Sequence, residues 1–346
     1  MGLFIMDINE RKNQWRKFYD LSSNVKTLVL IDYPLPNRPW PYPENFNKRL
    51  DWASESYQRQ SEHALWLHDD RIPALNPYTG TELFAEAFGC KVHYSGDNMP
   101  FALPMISSAA EVASLREPDI YDGVLGKTFE LGRLLRQRNG DDAVLHLPDI
   151  QSPLDIAALM WEKGDFFMAM LEEPNAINAL TEMTENVLCK FLDAWFKEFG
   201  TEYISHYPDF FMDGGFTVSE DEVGAFGPAQ FKEFCLGALN RMSVRYGGIG
   251  MHCCAHATHQ WENFKKIEGL RMLNFVQPTV VTQRAYHEFA EKTAMMHYWC
   301  GNGAPDPSWI MHYPQNAHVV LNCSAENRDE AIRFCETLRG IASERG

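Results

Sequence analysis

Ile249-Gly250-Met251-His252-Cys253-Cys254 reads as a short buried strand, and Gly247-Gly248 just ahead of it breaks a helix predicted over residues 228–246. The same alternation continues downstream. A helix is predicted over 259–266, a strand over 272–275, a helix over 283–290 and a strand over 294–299. A strand over 319–322 and a helix over 327–338 follow. Strands that alternate with helices imply parallel βαβ units. Toward the N-terminus, strands are predicted over 25–32, 70–77, 143–148 and 207–212, separated by helical patterns, the longest over 175–200. With about seven or eight strands in alternation, a (β/α)8 TIM barrel outranks an open doubly wound sheet. One domain over 1–346 is expected, with 1–24 as an N-terminal helical extension. The run Pro34-Leu35-Pro36-Asn37-Arg38-Pro39-Trp40-Pro41-Tyr42-Pro43 is read as a rigid loop, because each proline fixes φ and removes a donor.

The quoted strand also carries metal-type ligands. Side chains alternate along a strand, so His252, Cys254 and His256 share one face while Cys253 points the other way. A second strand-like run, Val319-Val320-Leu321-Asn322-Cys323, ends in another cysteine. The pattern His-x-Cys…Cys supplies three N/S ligands and leaves a fourth position open, as in catalytic zinc sites. Metal ligands are therefore expected at His252, Cys254 and Cys323, with Cys300 as a rival third ligand. The plainer alternative is a core histidine beside small buried cysteines. Asp213, in Asp213-Gly214-Gly215, and Gln277, before Pro278, are candidate catalytic residues; a turn aspartate and a strand cap are the alternatives. His146 is read as a satisfied strand-end histidine. The run Ser219-Glu220-Asp221-Glu222 is read as a solvated loop. Asp32, His146, Asp213, His252, Cys254, Gln277, Cys300 and Cys323 all fall at predicted strand ends, which a barrel gathers on one face.

Composition bounds the rest. The chain has 346 residues, 45% hydrophobic and 23% charged, ample for a sizeable core. A net charge of −16 argues against general nucleic-acid binding, which needs a basic footprint. No apolar run reaches the length of a membrane span, and the first residues lack the basic start of a signal peptide. Eight cysteines without framework spacing suggest reduced thiols and a cytoplasmic location.

Several segments in order carry a family resemblance: Gln151-Ser152-Pro153-Leu154-Asp155-Ile156-Ala157, Leu171-Glu172-Glu173-Pro174, Asp213-Gly214-Gly215, Gly227-Pro228-Ala229-Gln230-Phe231, His252-Cys253-Cys254 and Asn274-Phe275-Val276-Gln277-Pro278. From about Gln151 to Leu338 the chain resembles the uroporphyrinogen decarboxylase superfamily, whose fold is a (β/α)8 barrel. True decarboxylases carry an arginine-rich N-terminal segment for the substrate carboxylates; the corresponding region here reads Tyr33-Pro34-Leu35-Pro36. The chain is closer to the cobamide-dependent methyltransferases, whose zinc motif maps onto His252, Cys254 and Cys323, with Cys253 and Ala255 as departures. The resemblance implies methyl transfer between a corrinoid and a small thiol, methoxy or amine substrate. The corrinoid would come from a partner protein or free solution. A homodimer is implied by the same analogy. The alternative is a metal-free decarboxylase-like enzyme, or a binding barrel for a tetrapyrrole or other acidic ligand.

Overall fold

A computed structural model describes residues 7–296 and 313–345. Its strands, in chain order, are β1 (Thr27–Asp32), β2 (Ala74–Leu75), β3 (Lys91–His93), β4 (Phe101–Leu103), β5 (Val144–His146), β6 (Glu202–Ile204), β7 (Phe211–Asp213), β8 (Phe216–Ser219), β9 (Ile249–Cys253), β10 (Leu270–Phe275), β11 (Ala294–Met295) and β12 (Val319–Ser324). Among the described residues the predicted C-terminal alternation is present; residues 297–299 of the strand predicted over 294–299 lie outside them. Strands β1-β12-β11-β10-β9-β8 form one arc, parallel throughout. Strands β2-β5-β6-β7 form a second arc, parallel except for its last pair. The β3–β4 pair is a separate antiparallel ribbon that the sequence reading did not anticipate.

The two arcs meet at two seams, an α/β arrangement consistent with a TIM barrel. At one seam Ser219 donates its N–H to the Ile150 carbonyl (2.9 Å) and Ser152 donates to the Ser219 carbonyl (2.8 Å). At the other, Asp70 N–H reaches the Val29 carbonyl (2.7 Å). There the side chains stand in for a ladder. Asp70 accepts from Val29 N–H (2.7 Å) and Asp69 from Ile31 N–H (3.0 Å). Both aspartates are buried. Arg11 reaches Asp69 at 2.9 Å and Arg339 reaches Asp70 at 2.8 Å.

Arg11 lies on the first helix, Ile8–Phe18, which begins at a capping box built by Asp7 and Glu10. Trp15 and Phe18 of that helix are fully buried. The segment expected as an extension thus packs onto the barrel wall. The outer layer is dominated by the helix Pro174–Phe199, whose Ile177, Leu180, Val187, Leu188, Phe191 and Trp195 are buried at helical spacing. No helix among the described residues is long and apolar enough to cross a membrane.

The region 200–220 departs from expectation. A strand ending at Asp213 was predicted to point its C-terminus at the site. Instead β6 and β7 form an antiparallel hairpin, and the chain reverses again into β8 through Gly214 and Gly215, at φ 71° and 78°. Only glycine takes such φ values freely, and a Cβ on Gly215 would lie 2.9 Å from the Gly248 carbonyl oxygen.

Breaking a buried ion pair from one side leaves the other charge stranded and costs about 3–5 kcal/mol. Arg11→Met is expected to lower stability by about that much in urea unfolding, and adding Asp69→Asn to it is expected to recover most of the loss.

Candidate metal centre at the barrel mouth

Register places the site. Ser219 of β8 pairs with His252 of β9, and His252 pairs with Asn274 of β10. Neighbours in a parallel row point the same way, so these three side chains line up across three strands. His252 Nδ1 lies 2.6 Å from Asn274 Oδ1. Asn274 donates its amide N–H to the Met296 carbonyl, which turns its Oδ1 toward the histidine. This network assigns the proton to Nδ1 and leaves the Nε2 lone pair free to ligate. The ring of Tyr207 stands edge-on to His252, centroids 4.7 Å apart.

Cys254 lies one residue past β9, on the exposed side, while Cys253 is buried as expected. Cys254 donates its N–H to Asp221 Oδ1 at 2.6 Å. Ligand-type atoms of Asp221, His252 and Cys254 all lie within 4.8 Å of one another. Burial first, and then the negative charge and hydrogen bond of Asp221, push the Cys254 thiol up to about 12. A cation placed among the three would reverse that bias toward thiolate.

Asp221 was not foreseen, because the run Ser219–Glu222 was read as solvated. In fact Ser219 and Glu220 are buried. Glu220 N–H donates to the His252 carbonyl (2.9 Å), and Asp221 N–H and Glu222 N–H donate to the Asp155 carboxylate (2.6 and 3.2 Å). Asp155 sits in the first turn of the helix Pro153–Met160, capped by Ser152. Burial pushes Glu220 up to about 8 and Asp155 well above the carboxylate range, each reinforced by the acidic groups nearby. The available signal was position: an acidic run directly follows the apolar Phe216-Thr217-Val218, at a strand end.

The other expected residues divide. Cys323, expected as the third ligand, is not among the residues gathered in this cluster. Its register partner is Ile31, while the preceding residue, Asn322, donates to Asp32 Oδ2 at 3.2 Å. Cys323 therefore points to the opposite face, where it is buried near Cys335 of the C-terminal helix Arg328–Arg345. Asp213 also lies apart from the cluster. It pairs with Glu202 at the N-terminal end of β6, away from the mouth, and binds Arg16 at 2.7 Å. Gln277 donates to the Cys254 and Ala255 carbonyls (2.7 and 3.0 Å), so it fastens the loop that carries Cys254. His256 is exposed, and Cys300 lies outside the described residues. His146 contacts the Ser205 carbonyl at 3.1 Å, the satisfied strand-end role expected of it.

The fold and site define an α/β barrel with a His/Cys/Asp cluster at the strand ends. Residues 74–296 match the family model for uroporphyrinogen decarboxylase, and the chain belongs to that family. A methyltransferase from Methanosarcina mazei has a similar fold: TM-score 0.65 over 97% of this chain and 98% of that one, at 11% identity. No curated protein matches the chain in sequence.

A carboxyl group whose pKa is raised by folding stabilises the fold fully below its unfolded value, and that contribution is lost as pH rises through the folded value. For Glu220 the window runs from the ordinary 4.5 to about 8. Glu220→Gln is expected to gain stability relative to the parent between those pH values, measured as urea midpoints at pH 5 and pH 8.5. Equal mutant-to-parent differences at the two pH values would contradict the assignment.

Proposed function

We propose that this protein is a zinc-dependent methyltransferase that moves a methyl group between a corrinoid and a small thiol, methoxy or amine substrate, using His252, Cys254 and Asp221 as the metal ligands. The observation that carries the reading is the convergence of an imidazole nitrogen, a thiol sulfur and a carboxylate oxygen within 4.8 Å at a barrel's catalytic face. This donor set suits zinc and leaves a fourth position for substrate. The fold likeness to a methyltransferase from Methanosarcina mazei supports the class of reaction. Bound there, zinc would supply the charge that holds a substrate thiol as thiolate, or that polarises a methoxy or amine group.

The chain's own residues have distinct tasks in this scheme. Asn274 fixes the His252 ring and its tautomer. Gln277 and the Asp221 carboxylate hold the Cys254 backbone, and so the direction of its sulfur. Beside the mouth a cavity of about 250 Å3 is bounded by Asp32, Tyr33, Leu35, His63, Arg71 and Asp209, room for a small substrate. Its cations are already engaged: Arg11 with Asp69, and Arg71 with Asp32, Asp69 and Asp209. A substrate with many carboxylates would lack charge-assisted partners there, which disfavours the decarboxylase alternative. The corrinoid would be delivered by a partner protein or from solution.

Zinc content and methyl transfer test the proposal. Purified protein is expected to hold one zinc per chain. His252→Ala, Cys254→Ser and Asp221→Asn should each abolish it, and Asn274→Ala should weaken it about 10–100-fold. Cys323→Ser should leave it unchanged. Methylcobalamin supplied with a small thiol should be demethylated by the parent and not by Cys254→Ser. Zinc lost in Cys323→Ser but kept in Asp221→Asn would replace Asp221 by Cys323. Metal-free active protein would remove the proposal.

A further inference from the structure

A second cavity, of about 330 Å3, opens on the flank of the mouth among the helices Phe46–Ala64, Leu83–Ala87 and Gly123–Asn139. Pro41, Phe46, Leu83 and Val124 supply apolar walls. Two charged residues in its lining are buried, Glu82 at 5% and Arg49 at 9% exposure. Arg49 spends one guanidinium nitrogen on the Pro77 carbonyl (2.6 Å). Its Nε, and Glu82 Oε2, are buried without a hydrogen-bond partner among the described residues. The two are near enough to influence each other's charge, but neither of these atoms is hydrogen-bonded to the other among the described residues. A buried polar atom without a partner is costly, and two of opposite chemistry on one cavity ask for a ligand that answers both.

Glu86 and Glu130 line the same cavity with Lys127. The bare Glu82 oxygen needs a donor, and an ammonium supplies both donors and the charge that draws Glu82 into its carboxylate form, whereas an anion would oppose that ionisation. Arg49 Nε–H can only donate, so it needs an acceptor oxygen. We propose that this cavity is a binding site for a small alkylammonium compound that also carries a carbonyl oxygen, the ammonium on Glu82 and the oxygen on Arg49. Burial pushes the Glu82 carboxyl up to about 8, so it is mostly protonated at pH 7 and releases a proton when the ammonium arrives. The site is independent of the metal cluster but close to it: Thr79, which lines the cavity, accepts a hydrogen bond from Asp149 N–H (2.7 Å). Asp149 in turn lies 3.7 Å from His206, which bonds Ser219 at 3.0 Å.

Titration calorimetry of the full chain with 4-aminobutanamide at pH 7, in two buffers of different ionisation enthalpy, tests this. Saturable binding of one molecule per chain with net proton release is expected. Butanamide, which lacks the charge, and butanoate, which reverses it, should each bind at least tenfold more weakly. Glu82→Gln keeps the shape and should weaken binding at least tenfold without changing zinc content. Gly80→Ala gives a second variant, because its Cβ would lie 2.2 Å from Glu82 Oε2 and displace the carboxylate; it too should lose affinity. No saturation at tens of millimolar, equal affinity in Glu82→Gln, or tighter binding of butanoate would overturn the assignment. None of these outcomes depends on whether the protein transfers methyl groups.

Discussion

The barrel depends on two adjacent buried carboxylates. Asp69 and Asp70 accept the N–H groups of Ile31 and Val29, which would otherwise be left unpaired at the seam between the arcs. Burying two neighbouring charges is unfavourable without cations, and the cations come from opposite ends of the chain, Arg11 from the first helix and Arg339 from the last. Trp15 adds its indole N–H to the Asp70 carbonyl at 2.9 Å. The join between the two arcs is thus tied to docking of both terminal helices. Strand pairing, helix packing and charge neutralisation form one cooperative unit, and the mouth is assembled on it.

The parts of the fold visible in the sequence are those where local pattern and final environment agree. From residue 249 onward the strands are mostly buried on both faces, and β9, β10 and β12 are each followed by a helix, so apolar runs and helical spacing were sufficient. The proximity of His252 and Cys254 follows from the same local pattern, because strand alternation alone puts them on one side. The failures are non-local. Nothing in Thr201-Glu202-Tyr203-Ile204 announces a strand that pairs backwards with Phe211–Asp213, because three-residue strands carry too little periodicity. The acidic run 219–222 is hydrophilic by composition, yet Asp155, some sixty residues earlier, captures two of its N–H groups and draws it inward. Cys323 and Asp213 satisfied the strand-end criterion; register and chain direction place them apart from the His252 cluster, and neither is written in a single segment.

The site combines rigid and adjustable parts. Asn274, clamped by the Met296 carbonyl, gives the imidazole one orientation. Below the cluster, Glu220 and Asp155 form a buried acidic layer whose burial favours the neutral form. That layer limits the negative charge that accumulates next to the Asp221 carboxylate. The acidic character of the whole chain therefore does not translate into an equally acidic interior.

The β6–β7 hairpin has a wider effect than moving one aspartate. Because β6 runs toward the mouth and β7 runs away from it, the turn between them projects over the strand ends. From that single turn come His206 against Ser219, Tyr207 against His252 and Asp209 near Arg71 and His146. Three linings of the chamber thus travel together on one short excursion that is not a strand-to-helix connection. Exchanging its residues would reshape what the chamber accepts while the staves of the barrel, and the seam that locks them, stay untouched.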